Sequence, residues 1–397
     1  MTRSMTRSIL AGLLAIALGA TGATGAGAQG NLSTQGFGYP PGQLSTVTMS
    51  LGGSTAELDP SSAINPATAS LWGATVLFMQ YETEVRTVKT AASSGRTNTA
   101  RFPMVGVSVP FGRRLTGQAS ASTFLDRTWS SSAPTQQDIG GTVVDAIELF
   151  SSNGGITDFR VALGYNASPR FQLGVAGHVF SGENRVAIEQ RFPDTVTFSG
   201  AVQRSEINYS ALGASAGAVW RPATSLGLGA SVRVGGDMEA LSGDSVLSTG
   251  KLPMRYGFGV TYSGINGVAL AARANFDEWS AMEPMKRPGS NLRAFDSWDY
   301  GVGADVEGPT IGRRNIALRV GARYRGLPFG VGSGTSVDQT MVNELSLSGG
   351  FGIPLGVGRS QLDVAVVRAT RTPENESLAG GASESAYIIS FGIRVRP

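Results

Sequence analysis

The chain has no cysteine, only one histidine among its 397 residues, and no apolar run able to cross a bilayer as a helix once the first 28 residues are set aside. Without cysteine no disulfide framework can hold an exported chain together, so stability must come from a hydrogen-bonded scaffold or a large core. A transmembrane helix needs about 18 or more apolar residues in succession, and none follows the leader. With one histidine, His178, a multi-histidine metal site is excluded, and any His-dependent triad must use that residue. There is little net charge either. Arg3 and Arg7 fall in the leader, which leaves 30 basic against 29 acidic residues in the rest. That balance gives no indication of nucleic-acid binding.

The first 28 residues read as a signal peptide. Arg3 and Arg7 make a basic start, Ile9 to Ala20 an apolar stretch, and Ala26-Gly27-Ala28 a small-residue cleavage site. After them, the dominant pattern is a period of two. At the C-terminus Tyr387, Ile389, Phe391, Ile393 and Val395 share one face of an extended strand, while Ser390, Gly392 and Arg394 take the other. Met254, Tyr256, Phe258, Val260 and Tyr262 oppose Arg255, Gly257, Gly259 and Thr261 in the same way, and Ile316, Leu318, Val320, Ala322 and Tyr324 oppose Arg319, Gly321, Arg323 and Arg325. Phe171, Leu173, Val175 and Val179 oppose Arg170, Gln172 and His178, and Trp298, Tyr300, Val302 and Val306 oppose Asp299, Gly301 and Asp305. Large apolar groups on one side and charges on the other describe strands with hydrocarbon outside and water inside.

The alternation predicts strands over 70–90, 97–111, 115–130, 142–166, 170–192, 196–221, 223–240, 245–263, 267–280, 293–308, 312–326, 339–354, 360–372 and 384–396. The fold class is therefore all-β, a transmembrane antiparallel barrel of about fourteen strands. For the first strand the pattern leaves two outer faces open, Leu71/Thr75/Leu77 and Trp72/Val76/Phe78. Tight turns at 110–114, 166–170, 221–224, 263–267 and 354–358 alternate with longer polar segments at 131–141, 280–293, 326–339 and 371–383. Short periplasmic turns and long external loops are the rule for such barrels, and they assign both termini to the periplasm.

Residues 29–68 precede the barrel, 69–397, and do not alternate. Asp59-Pro60 and Asn65-Pro66 make the segment compact and turn-rich, with a short helix expected over Ser61 to Ile64. Gly52, Gly53, Asp59, Ala63, Asn65, Pro66 and Ala67 resemble the N-terminal hatch motif of FadL-like outer-membrane transporters, and the segment is also similar to the PorV-type branch of that superfamily. Arg323 to Phe329, Glu344 to Pro354 and Ser383 to Tyr387 carry the resemblance to the C-terminal end. It implies a hatch inside the lumen, a hydrophobic or amphiphilic, fatty-acid-like compound bound near the external end, and sideways exit through a gap in the wall beside the hatch. It implies residence in the outer membrane of a Gram-negative type cell, in contact with its lipid. The alternative that the same resemblance carries is a PorV-like barrel that meets secretion partners or cargo proteins through its external loops.

Arg160, Arg233, Arg255, Arg273, Arg319, Arg323 and Arg394 fall on inward faces. They make either a positive lumen for an amphiphile's carboxylate or ladders with Asp299, Asp305, Asp363 and Glu344; the near-neutral balance favours ladders. His178 is expected to hydrogen-bond neighbouring acids or water. Serines at 215 and 231 sit among small residues away from any strand-to-helix elbow, so they do not point to a nucleophile. No enzyme chemistry, cofactor or metal is expected. Gly257, Gly259, Gly301, Gly303, Gly321 and Gly349 provide either room for the hatch or barrel bends, and bends are favoured. Phe180, Phe192, Phe198, Phe276 and Trp279 divide evenly between pocket lining and lipid-facing girdle.

Overall fold

The computed structural model describes residues 32–90, 94–193, 197–286, 291–311, 314–332, 338–355 and 359–397. The expected leader lies outside them, as do the first residues of the expected hatch. The strands are β1 (Val76–Lys89), β2 (Ser94–Phe111), β3 (Leu115–Asp126), β4 (Trp129–Ile139), β5 (Thr142–Ser168), β6 (Phe171–Arg191), β7 (Ala201–Ala223), β8 (Leu226–Ser242), β9 (Ser245–Lys251), β10 (Arg255–Ile265), β11 (Val268–Asp277), β12 (Ser297–Ile311), β13 (Arg314–Val331), β14 (Thr340–Leu355), β15 (Ser360–Pro373) and β16 (Ser383–Val395).

Fourteen of these form a closed antiparallel ring, and β4 and β9 extend it as hairpin strands on β5 and β8. The ring seals because β16 returns to β1, from Leu77↔Val395 to Lys89↔Ser383, and because β8 pairs past β9 with β10, from Arg233↔Arg255 to Leu226↔Tyr262. Closure leaves almost no strand edge free, which is the condition for placing strands in hydrocarbon. The parity read from the sequence holds. Val320, Tyr324, Tyr300, Phe258, Val175, Tyr387 and Phe391 are exposed on the outer wall, while Arg319, Arg323, Arg325, Asp299, Arg255 and His178 are buried inside. Of the two faces left open for the first strand, Leu77 and Met79 point out and Trp72, Val76 and Phe78 point in.

Several element bounds differ from the sequence reading. The strand expected from residue 70 starts at Val76, because Asn65 caps a 3₁₀ turn at Pro66–Leu71. The helix expected over Ser61 to Ile64 is absent; a short α-helix lies instead at Thr46–Ser50, capped by the Ser45 hydroxyl. The expected strand 245–263 breaks at Leu252-Pro253-Met254 into β9 and β10. Pro253 has no N–H to continue a ladder, and Leu252 inserts into an inner apolar cluster. The polar segment 131–141, expected to be a loop, forms most of β4 and its turn. Gly140 and Gly141 there adopt φ of 63° and 86°, the left-handed pair that a two-residue hairpin turn requires.

One break has consequences for the wall. β2 pairs with β3 only from Met104↔Ser122 to Phe111↔Leu115, so residues 94–103 of β2 have no partner on that side. Past Thr123 the register of β3 against β5 shifts, and Phe124, Leu125 and Asp126 are all buried in succession. Three consecutive buried residues violate the period of two, and they mark a strand turning into the lumen. A split thus opens between β2 and β3 toward the rim opposite the tight turns.

The outer wall predicts its own sensitivity. Val320→Arg, at mid-height of β13, should lower stability by about 2 to 4 kcal/mol in phospholipid vesicles. Urea unfolding followed by gel mobility would measure the loss, and an unshifted midpoint would contradict a lipid-facing Val320.

Candidate functional site in the lumen

Residues 32–72 are packed against the inner faces of strands around the whole ring. Near one rim Ser33 donates through its N–H, at 3.2 Å, and its hydroxyl, at 2.7 Å, to Glu384 of β16; near the other, the Asn166 amide donates to the Ser70 carbonyl at 3.2 Å. Between them the segment is organised by Asp59. Its carboxylate accepts from the hydroxyls of Ser45, Thr48 (2.9 Å) and Ser62 (2.9 Å) and from the Ser61 N–H (3.0 Å). Asn65 is equally committed. Its amide donates to the Glu57 carbonyl at 2.9 Å and to the Ala218 carbonyl of β7 at 3.1 Å, and its Oδ1 accepts from the Ala67 N–H at 3.0 Å.

The motif positions therefore act as a set. Gly52 and Gly53 turn with φ of 64° and 80°, and Ala63 packs with Phe78 and Met104. Pro66 and Ala67 lie directly over Gly174 of β6. The strand glycines explain how the segment comes so close. A Cβ at Gly321 would collide with Leu51 and Gly52, one at Gly301 or Gly303 with the Leu51 and Gly52 carbonyls, and one at Gly257 or Gly259 with the Glu57 side chain. These glycines give room to the segment, contrary to the favoured bend reading; only Gly349 has nothing of the segment against it.

The inward arginines are mostly paired. Arg319 bonds Asp305 at 3.0 Å and Asp363 at 2.8 Å; Arg323 chelates Asp299 at 2.8 and 2.7 Å; Arg394 reaches Asp363 at 3.1 Å. Arg273 lies 3.3 Å from Asp299 and 3.6 Å from Glu57, and Arg255 bonds Asn275 at 2.8 Å and lies 3.4 Å from Asp277. A second network, outside the sequence expectation, surrounds Tyr39. Its hydroxyl donates to Glu344 at 3.1 Å, and its ring lies under the guanidinium carbons of Arg371 at 4.5 Å, Arg325 at 5.0 Å and Arg86 at 5.3 Å. Cations over an aromatic face are attracted by its quadrupole, more strongly when desolvated. Burial pushes the Tyr39 hydroxyl's pKa up, so it remains a donor at neutral pH. Its backbone meanwhile pairs both ways with Asp126, at 2.8 Å each, and Arg101 of β2 reaches Asp126 across the split at 2.9 Å.

Arg160 and Arg233 are different. Among the described residues, Arg160 donates only to the Gln118 side chain at 2.9 Å, with Nε and Nη2 unpartnered, and Arg233 donates to Gln43 at 3.2 Å with its Nε unpartnered. The Arg233 guanidinium carbon lies 5.1 Å from the Phe124 ring centroid and 5.6 Å from that of Phe180. Those two rings belong to a buried apolar cluster with Leu125, Ile156, Met238, Leu252, Trp279, Met282 and Phe329. Phe180 and Trp279 thus face inward. Phe276 does not; it packs on the lipid-facing Trp298, 5.0 Å away, which removes it from the lumen candidates. Phe192 and Phe198 pair with each other at 5.6 Å beyond the end of β6, apart from that cluster. His178 meets the expectation of an acid neighbour, since its Nδ1 lies 2.9 and 3.0 Å from the Asp158 oxygens, and its Nε2 lies 2.8 Å from the Ser215 hydroxyl. No group of three or more acidic or histidine ligands suited to a metal occurs among the described residues.

No protein-family model matches the chain, and a comparison with curated proteins finds no relative. Solved structures do match. A FadL homologue of Pseudomonas aeruginosa aligns over 90% of this chain and 99% of its own, at 13% identity and a TM-score of 0.60. The monoaromatic hydrocarbon channel CymD aligns over 89% and 97%, at 12% identity and 0.56, and the Pseudomonas putida toluene transporter TodX over 92% and 99%, at 13% and 0.54. The fold is that of FadL-type barrels.

Removal of the Asp59 carboxylate leaves three hydroxyls and one N–H of the segment without their acceptor. Asp59→Ala should loosen residues 32–72 by several kcal/mol in total, at about 1.5 to 3 kcal/mol per bond to a charged group, while the ring stays closed. Limited proteolysis should then cut within 32–72 and spare the strands; a protected segment would refute the role given to Asp59.

Proposed function

We propose that the protein is an outer-membrane channel for passive uptake of hydrophobic or amphiphilic compounds, with its N-terminal segment as a hatch and its termini in the periplasm. The observation that carries this reading is the adjacency of three features. The buried apolar cluster around Phe124, Phe180 and Trp279 lies beside the split between β2 and β3, because Phe124 belongs to both. Arg233 lies against the Phe124 and Phe180 rings of that cluster and Arg160 opposite His178 in the β5–β6 register; neither has a carboxylate within salt-bridge distance among the described residues, so both guanidinium groups can offer bidentate donors. A molecule with an apolar body and an anionic end fits that combination. Exit to the side through the split, past Phe102, which is exposed on the unpaired stretch of β2, would deliver an apolar body to the lipid without crossing the hatch, and the transport itself needs no chemistry.

The structural neighbours, a monoaromatic hydrocarbon channel and a toluene transporter, support an apolar cargo. A second reading rests on the long strands β4 to β7, which carry an exposed hairpin sheet past the ring and give a protein partner a surface. Stoichiometric co-purification of such a partner with an empty lumen would favour it.

Deletion of residues 31–66 tests the first reading. In proteoliposomes the truncated protein should show raised nonspecific leak and no selective uptake of a fluorescent fatty acid; unchanged selective uptake would count against a hatch. In the full-length chain, Arg160→Ala with Arg233→Ala should weaken uptake of the carboxylate about a hundredfold or more, for two charged hydrogen bonds lost, and leave a neutral alkane analogue unaffected. Equal losses for both cargoes would remove the arginines from cargo recognition.

A further inference from the structure

We propose that Asp158, His178 and Ser215 form a hydrolytic centre in the lumen wall, acting on carboxylic esters with an apolar acyl chain. This goes beyond transport and does not depend on it. The three residues lie on adjacent strands, β5, β6 and β7, and all point inward. The His178 Nε2 is 2.8 Å from the Ser215 hydroxyl, and its Nδ1 is 2.9 and 3.0 Å from the two oxygens of Asp158. A base within hydrogen-bond reach of a nucleophile, itself oriented by a carboxylate, defines such a centre on any fold. The Nδ1–H donates to Asp158, and Nε2 is left to accept the serine proton.

Two further observations distinguish the cluster from a bare hydrogen-bond chain. Arg233 sits directly opposite Ser215 in the β7–β8 register, buried, with an unpartnered Nε. Arg160 likewise sits opposite His178, with two unpartnered nitrogens. Unpaired donors beside a nucleophile are what a developing oxyanion requires. Gln43, whose amide donates to Asp158 at 2.8 Å while its carbonyl accepts from Arg233, has a φ of 56°. It is the one non-glycine residue with positive φ among the described residues, and strain of this kind is held where surroundings demand it.

The reaction balances without a cofactor. The Ser215 oxygen attacks the ester carbonyl carbon as its proton moves to His178 Nε2, and the tetrahedral oxyanion is held by the Arg233 guanidinium. Collapse breaks the bond to the alkoxy oxygen, which leaves as alcohol with the proton from His178. Water then attacks the acyl-serine as its proton moves to Nε2; the bond from the acyl carbon to the Ser215 oxygen breaks, that oxygen takes the proton back from Nε2, and the carboxylic acid is released. Phe180, two residues above His178 toward the external rim, begins the apolar cluster that would seat the acyl chain. The acid product forms between Arg160 and Arg233.

The test uses the full-length protein in detergent micelles, with p-nitrophenyl butyrate and decanoate as substrates and a fluorophosphonate as probe. Phosphonylation should map to Ser215 by peptide mass spectrometry, and ester turnover should fall about a hundredfold or more in Ser215→Ala and His178→Ala. Labelling of the intact Ser215 should also fall in His178→Ala. Asp158→Asn, which changes a positioning residue, should move the pH profile of labelling, whereas Ser346→Ala, at a buried serine of β14 away from β5, β6 and β7, should change nothing. Gel mobility without heating confirms that each variant is folded. If the wild-type chain alone shows no labelling at Ser215, or if turnover is the same in Ser215→Ala, the centre is a hydrogen-bond chain only and the proposal is overturned. Loss of fatty-acid uptake with hydrolysis intact, or the reverse, separates this outcome from that of the transport reading.

Discussion

In hydrocarbon no water is available to satisfy a backbone amide or to solvate a charge, and nearly every feature of this chain follows from that. The ring closes edge to edge, outer positions are apolar, and charges go inward. Inside, burial makes an unpaired charge costly, so most of the inward arginines are matched to carboxylates. The same constraint governs the one place where the ring opens. When β3 leaves β2, the backbone of Asp126 loses its strand partner, and Tyr39 supplies both the N–H and the carbonyl that replace it. The Tyr39 side chain then becomes the common neighbour of Arg86, Arg325 and Arg371, which ties the split to the ionic network of β1, β13 and β15.

Wall and segment are shaped to one another. The segment presents polypeptide backbone to the strands at Leu51-Gly52 and at Pro66-Ala67, and the strands present glycines there. A larger residue at those wall positions would hold the segment away and leave Asn65 and Glu57 without their contacts on β7 and β8. Against this tight fit, Arg160, Arg233 and the apolar cluster form the part of the interior with unsatisfied donors, where a guest has something to gain.

The barrel was legible because its signal is local. Lipid and lumen impose a period of two that survives in Tyr387 to Val395 or Leu318 to Tyr324 without knowledge of the rest of the chain. Parity alone also resolves what the composition left balanced. Phe180 shares the face of His178, two residues away, and so points in; Phe276 lies an odd step from Arg273 and so points out. The breaks were not legible, since they depend on distant partners. Nothing around Phe124 to Asp126 announces an inward turn, and Leu252 leaves the ladder to fill space that other strands create. A glycine that makes a bend and one that makes room look alike in sequence, which hid the fit at Gly301, Gly303 and Gly321. Tyr39 had no motif at all; its only trace was an excess of inward arginines in need of a shared neighbour. The Asp158, His178 and Ser215 set was missed because its members lie on three strands with unrelated spacing.

The threaded segment also constrains how the molecule is made. Ser33 and Tyr39 bond Glu384 and Glu344, residues of strands synthesised more than three hundred positions later. Contacts of such separation form late, after the intervening chain has been arranged. The leading stretch must therefore be held, incompletely bound, while the wall is laid around it, and the seam between first and last strands traps it. Once that seam has zipped, strands surround the segment, and it can leave only by giving up its bonds to Glu384, Glu344, Asp126 and Ala218.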